Sequence, residues 1–287
     1  VDTVPRMAQF GGQVVWITGG GSGIGKAIAL EMAREGADVV VSGRRAGKID
    51  EVAAEIEAMG RRGLAVPCDV TDDASVAAAV ASIEEAFGKM DVCIANAGFS
   101  VAGRFEMLTS DDWRRQFEVN VVGLCTTVRE ALPLLRKTRG RVVLIGSVAS
   151  MIPSPGVIAY TASKYAVRGI GQTLSTELHG TGVSCTTIHP GFVESEIAQV
   201  DNQGVHNPKR PDKRPANLMW PADKAARVCV KAIAARKREF VFTGHGKIGG
   251  FIGRHMPGLA HFVMTRDGAK KKTRASLKDP RQDPGGS

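Results

Sequence analysis

The chain lacks any apolar run of about 18 residues, the least that a bilayer-crossing helix needs. Val1 to Gly12 hold no apolar core of the kind a secretory signal carries. Paired cysteines are missing too. Cys68, Cys93, Cys125, Cys185 and Cys229 are odd in number and widely spaced, so neither a disulfide framework nor a zinc knuckle is expected. Free cysteines in apolar stretches act as small hydrophobes, and a reducing, cytoplasmic setting follows as the expectation. His179, His189, His206, His245, His255 and His261 show no ligand spacing with carboxylates, so no metal site is expected. Aromatics are only 5% and no nucleic-acid motif occurs, which argues against nucleic acid as a partner despite a net charge of +9.

Acidic residues are scarce at one end. From Asp201 to Ser287 there are 19 Lys/Arg against 7 Asp/Glu, so the basic excess belongs to the last third and could attract an anionic surface. What is present elsewhere is ordinary for a packed domain: 43% hydrophobic and 23% charged residues in 287. Short β-branched runs alternate with longer Ala/Leu/Glu stretches of helical spacing. Strands are expected at 14–17, 38–42, 64–67, 91–95, 141–146, 183–188 and 239–243. Helices are expected at 24–34, 48–59, 73–87, 110–137, 159–178 and 222–236, with Pro133 kinking or ending the long one. The alternation predicts an α/β fold: a doubly wound parallel sheet of about seven strands between two helical layers. Residues 1–12 read as a leader and 13–244 as one catalytic domain with a lid near 194–220. The remainder, 245–287, reads as a basic extension whose end, 270–287, reads as disordered.

After the first strand comes Thr18-Gly19-Gly20-Gly21-Ser22-Gly23-Ile24-Gly25, opening a helix. Glycines permit a tight turn and close approach of an anion, and the helix start offers free N–H groups to a pyrophosphate. Between the first strand and first helix of an alternating chain this is a dinucleotide site. The second strand ends in Gly43-Arg44-Arg45 rather than in a carboxylate. Guanidinium forks suit a 2′-phosphate, so NADP (NADPH) is favoured over NAD.

Tyr160 and Lys164 stand four apart at a helix start and share a face. A nearby ammonium should lower the phenol's pKa and make Tyr160 a usable general acid and base. Ser147 closes an apolar strand, where a hydroxyl can hold a substrate oxygen. With these residues in place, the chain resembles the short-chain dehydrogenase/reductase family. The resemblance rests on Thr18-Gly19-x-x-x-Gly23-x-Gly25, Asp69, Asn96-Ala97-Gly98, Asn120, Ser147, Tyr160, Lys164 and Pro190-Gly191, in family order.

The resemblance implies roles. Tyr160 trades the proton, Lys164 holds the nicotinamide ribose and tunes Tyr160, Ser147 polarises the carbonyl, and Asn120 anchors a water in a relay. Gly19, Ser22, Gly23, Ile24 and Gly25 would cradle the pyrophosphate, with Arg44 and Arg45 at the adenosine phosphate. Asp69 and Val70 would meet the adenine, and Asn96, Ala97 and Gly98 would pack on the cofactor. Pro190, Gly191 and Val193 would flank the nicotinamide, with Ser195 near its carboxamide or the pyrophosphate. Met151 and Phe192, with Ser147 and Tyr160, would line an apolar pocket for a hydrophobic ketone or acyl-derived substrate. A homodimer or homotetramer is implied. Ala95 departs from the family, standing where many members have a second Asn.

A serine hydrolase is the α/β rival, but Ile145-Gly146-Ser147-Val148-Ala149 is not a Gly-x-Ser-x-Gly elbow. The alternative from another class is a non-catalytic NADP-binding sensor on the same fold. For 247–264, a mixed apolar and basic stretch, weak contact with a membrane surface competes with packing over the pocket or against a subunit. Its glycines and proline weaken any continuous amphipathic helix.

Overall fold

Apolar runs of four to six residues become strands here because each is covered on both sides. The computed structural model describes residues 8–212 and 214–265. The first half of the chain forms β1 (Val14–Thr18), α1 (Gly23–Arg34), β2 (Asp38–Gly43), α2 (Ala46–Ala58), β3 (Gly63–Pro67), α3 (Asp73–Phe87) and β4 (Val92–Ala95). Then come α4 (Ser110–Phe117), α5 (Gly123–Thr138), β5 (Arg141–Ile145), α6 (Ile158–Glu177), β6 (Ser184–His189), α7 (Ala222–Ala234) and β7 (Glu239–Val241). Two short helices follow, α8 (Gly244–His255) and α9 (Pro257–Thr265). The strands are parallel, in the order β3-β2-β1-β4-β5-β6-β7.

Alternate residues of each strand serve opposite cores. Val15, Ile17, Val39, Val41 and Ile94 pack with Ile28, Ile49 and Val230 on the side of α1, α2 and α7. Val14, Trp16, Val40 and Cys93 pack with Ile83, Leu124 and Val167 on the side of α3, α5 and α6. Each large side chain so buried contributes about 1.5–3 kcal/mol, which is why the inner strands carry so few polar residues. The Trp16 indole N–H still needs an acceptor and donates to the Ser42 hydroxyl at 2.9 Å. The order reverses between β1 and β4. The loops leaving those two strands therefore diverge and open a crevice at their C-terminal ends.

The structure departs from the expectations in places. Pro133 does not end its helix, which continues to Thr138. Pro133 and Arg129, whose carbonyl loses its donor, are both exposed, so water can replace that bond, while Leu134 and Leu135 stay buried and dock the last turn. The irregularity comes earlier, as a wide π turn at Glu118–Val122 that joins α4 to α5. The tail is also more helical than its glycines suggested. Gly246, Gly249, Gly250 and Gly253 lie inward on α8, where they allow close packing. Phe10, in the stretch expected to be a leader, is fully buried in the core. The expectations for 1–7 and 270–287 lie outside the described residues.

Candidate active site

The glycine loop turns because β1 must hand the chain to α1 within a few residues. Gly19 and Gly23 have φ of +64° and +54°, a region disfavoured for residues with a Cβ. A Cβ on Gly25 would come within 2.3 Å of the Gly19 carbonyl oxygen. The loop is stapled to β4: Asn96 Nδ2 donates to the carbonyls of Thr18 (2.8 Å) and Gly19 (3.1 Å). In return the Thr18 hydroxyl accepts the backbone N–H groups of Asn96 and Ala97. Gly98 stands where a Cβ would lie 3.0 Å from Asn120 Oδ1. Asn96, Ala97 and Gly98 thus sit at the crevice beside the cradle.

Ser22 is the N-cap residue of α1 and Ile24 packs on the core. Arg45 donates to Ser22 Oγ at 2.9 Å and to Glu196 Oε2 at 2.7 Å. Arg44 reaches the Gly204 carbonyl at 3.3 Å. Both arginines therefore meet the connection between β6 and α7, and Glu196 already occupies the anion position of Arg45. Despite partial burial, the Glu196 carboxyl is held below its ordinary value by Arg45, Ser22 and His206. Asp69 is spent locally, accepting from the Thr71 N–H (3.0 Å) and hydroxyl (2.8 Å), and Val70 is buried.

At the other end of the crevice, Ser147 follows β5 and its Oγ accepts the Ala149 N–H at 3.1 Å. Tyr160, in the first turn of α6, lies close enough to Ser147 for that side chain to pull its phenol down. Lys164 Nζ, buried below the site, donates to the Ile145 carbonyl at 2.8 Å and lies 5.7 Å from the Tyr160 ring centre. The structure thus brings Ser147, Tyr160 and Lys164 together. The expected electrostatics need correcting. Burial pushes the Tyr160 phenol above its ordinary value, outweighing Ser147 and the Arg214 charge, which pull it down. Burial also lowers Lys164, to about 8. Burial thus disfavours the charged form of both groups.

Asn120, in the π turn, is fully committed. Its Oδ1 accepts the Phe99 N–H at 3.0 Å, and its Nδ2 donates to the Phe99 carbonyl and to Ser163 Oγ, each at 3.1 Å. Its side chain braces the Phe99 loop against α6. Pro190 accepts the Val148 N–H through its carbonyl at 2.9 Å. A Cβ on Gly191 would meet His245 Nε2 at 2.5 Å. Phe192 stacks on His245 with ring centres 5.5 Å apart. Val193 is buried, and Ser195 lies over the cradle, its Cβ 2.9 Å from where one on Gly23 would be. Met151 is buried under α8 rather than forming an open lining: a Cβ on Gly250 would lie 2.8 Å from its sulfur.

Several contributors gave no signal in the sequence. Arg214, from the proline-rich connection, donates to the Val193 carbonyl (2.9 Å), Ser195 Oγ (3.2 Å) and the Ser195 carbonyl (2.9 Å), and pairs with Asp212. A second group braces the Ser147 loop. His189 Nδ1 lies 3.1 Å from Ser150 Oγ and 3.2 Å from the Ser147 carbonyl. Its Nε2 lies 3.0 Å from Glu239, which also pairs with Arg168 and Arg254. These contacts join residues far apart in the chain, which periodicity does not register.

The family model for short chain dehydrogenases matches residues 13–206. The chain is similar to a 3beta-hydroxysteroid dehydrogenase of Mediterraneibacter gnavus, with 34% identity over 194 residues, 67% of this chain and 70% of that protein. Among solved structures it is similar to a short chain dehydrogenase from Burkholderia cenocepacia in complex with NADP, at 31% identity and TM-score 0.74, over 83% of this chain and 99% of that one. It is also similar to a short chain dehydrogenase/reductase from Burkholderia phymatum in complex with NAD, at 26% identity and TM-score 0.74, over 95% and 98% of the two chains.

Proposed function

Since this chain belongs to the short-chain dehydrogenase family and is an oxidoreductase of it, we propose that it interconverts a carbonyl and a secondary alcohol with NADP, using Tyr160 as acid and base. The observation that carries this reading is the convergence of Ser147, Tyr160 and Lys164 at the end of β5, with Lys164 Nζ on the Ile145 carbonyl and 5.7 Å from the Tyr160 ring centre. A dinucleotide cradle is supported by the turn itself: Gly19 and Gly23 take the left-handed φ it needs, Gly25 lets α1 start against the Gly19 carbonyl, and Ser22 heads α1, whose first N–H groups suit a pyrophosphate.

When bound, the nicotinamide supplies the hydride for reduction and accepts it in reverse. Ser147 orients and polarises the carbonyl. Tyr160 gives its proton to the carbonyl oxygen, and its phenolate is stabilised by Ser147, Arg214 and Lys164. Lys164 also holds the ribose. Asn120 keeps α6 in register with the Phe99 loop. Pro190, Gly191, Val193 and Ser195 flank the nicotinamide, in a position that Arg214 fixes.

NADP over NAD rests on Arg44 and Arg45. A 2′-phosphate replaces Glu196 as the partner of Arg45, with Ser22 as a further donor. Segment 194–220 acts as the lid, held down by those arginines. Phe192 makes the substrate side apolar, which suits a hydrophobic ketone; the steroid named for the Mediterraneibacter relative is of that class. The working form is a cytoplasmic homodimer or homotetramer joined through α5 and α6, where Val122, just before α5, and Tyr165 on α6 stand exposed.

A ketone panel with NADPH tests this. Tyr160→Phe should lower turnover by roughly 10²–10⁴-fold and leave cofactor affinity intact, whereas retained turnover would overturn the assignment. Arg45→Ala should weaken NADPH about tenfold, the loss of one charge-assisted pair, and leave NADH unchanged; equal losses would remove the case for NADP.

A further inference from the structure

The two helices after β7 have different surfaces inside and out. Inside, α8 lies directly on the Ser147–Ile152 turn. A Cβ on Gly249 would sit 3.3 Å from Ile152, and one on Gly253 would overlap the Met151 carbonyl. Arg254 also turns inward, to Glu239. Outside, Ile248 and Phe251 on α8, Met256 at the break, and Leu259, Phe262 and Val263 on α9 all stand exposed, Ile248 and Phe251 by 66% and 60%. The spacing of 248 and 251, and of 259, 262 and 263, puts each set on one helical face.

Charge identifies the occupant. No Asp or Glu occurs between Phe240 and Arg266, and Lys247 is exposed beside Ile248. The sequence leaving α9 runs through Arg266, Lys270, Lys271, Lys272 and Arg274, with Asp267 as its one acid. A second copy would bring the same excess of cations. A negatively charged surface would neutralise them. Among the described residues no helix is long and apolar enough to cross a membrane. The 12 residues of α8 span about 18 Å, short of a hydrocarbon core of about 30 Å.

We propose that α8 and α9 form a monotopic docking surface for an anionic phospholipid bilayer: Ile248, Phe251, Leu259, Phe262 and Val263 enter the interface, and Lys247 meets the headgroups. The proposal does not depend on the reaction assigned above, and its test reads no activity.

Full-length protein is sedimented with vesicles of phosphatidylcholine alone and of equimolar phosphatidylcholine and phosphatidylserine. Binding should occur on the mixed vesicles, weaken with added salt, and be far weaker on phosphatidylcholine. The exposed double substitution Phe251→Ser/Phe262→Ser should lower the partition coefficient by about tenfold or more while leaving the far-ultraviolet circular dichroism unchanged. Lys247→Glu, which leaves the apolar face intact, should lower it about fivefold or more on mixed vesicles only. No sedimentation of the full chain would overturn the proposal, as would wild-type partition in both variants. So would self-association abolished by the serine pair without vesicle binding, since the face would then belong to a second copy.

Discussion

Replacing Lys164 by methionine removes a charge and keeps a side chain of comparable reach, so its effect on stability can be worked from the site. The ammonium is 5% exposed, with the Ile145 carbonyl as its hydrogen-bond acceptor at 2.8 Å. Burial lowers its pKa from 10.5 to about 8. At about 1.36 kcal/mol per pKa unit, burying the charge costs on the order of 3 kcal/mol. Below pH 8 the lysine is protonated in both folded and unfolded chains, and the whole cost is felt. Between about 8 and 10.5 the unfolded chain binds the proton and the folded one does not, so stability rises with pH; above that window the cost is gone. Methionine does not titrate. The stability advantage of Lys164→Met over the wild type should therefore shrink by about 3 kcal/mol between pH 7 and pH 10.5. Urea unfolding of both cofactor-free proteins across that range measures it, with equal m-values as the check on comparable unfolding. Groups common to both cancel. A difference that stays flat with pH would refute the claim that Lys164 is held as a costly buried cation.

Glu196→Gln should tighten NADPH about three- to fivefold and leave NADH unchanged, because it frees Arg45 from a surface ion pair worth about 0.2–1 kcal/mol and removes a like charge from the phosphate; calorimetric titration with both cofactors reads this. Glu239 is held at about 2, chiefly by His189, with Arg254 and Arg168 contributing. A carboxylate so depressed stabilises the fold above its ordinary value near 4.5 and loses that contribution as pH falls toward 2. Glu239→Gln should accordingly flatten this part of the acid limb of a stability–pH curve, and an unchanged limb would count against the network.

The sheet and its order of helices were legible because both follow from short-range pattern. β-branched runs at 14–17 and 142–145 cannot form amphipathic helices, and alternation with helices leaves a parallel sheet as the economical answer. Tyr160, Lys164, Ser147 and the glycine cradle were legible because each sits at a strand end or helix start that the pattern had located. Arg214, Glu196 and the His189–Glu239 group were not, since their partners lie in other segments and their own surroundings carry no period. The sign of the Tyr160 shift also escaped, because residue type shows that a cation is near but not how dry the site is. The tail was misjudged for a related reason. Glycine is costly in an isolated helix, but at 249, 250 and 253 its missing side chain is what admits a neighbouring turn.

That absence of side chains on α8 bears on how the protein can be shortened. The helix is the back wall of the Ser147–Met151 turn, and through Arg254, Glu239 and His189 it reaches the carbonyl of Ser147. A chain cut after Thr243 would leave Met151 in water and Glu239 without one of its arginines. Lost turnover in such a fragment would then report a damaged wall rather than a missing appendage. Trimming that spares the wall has to begin beyond His255.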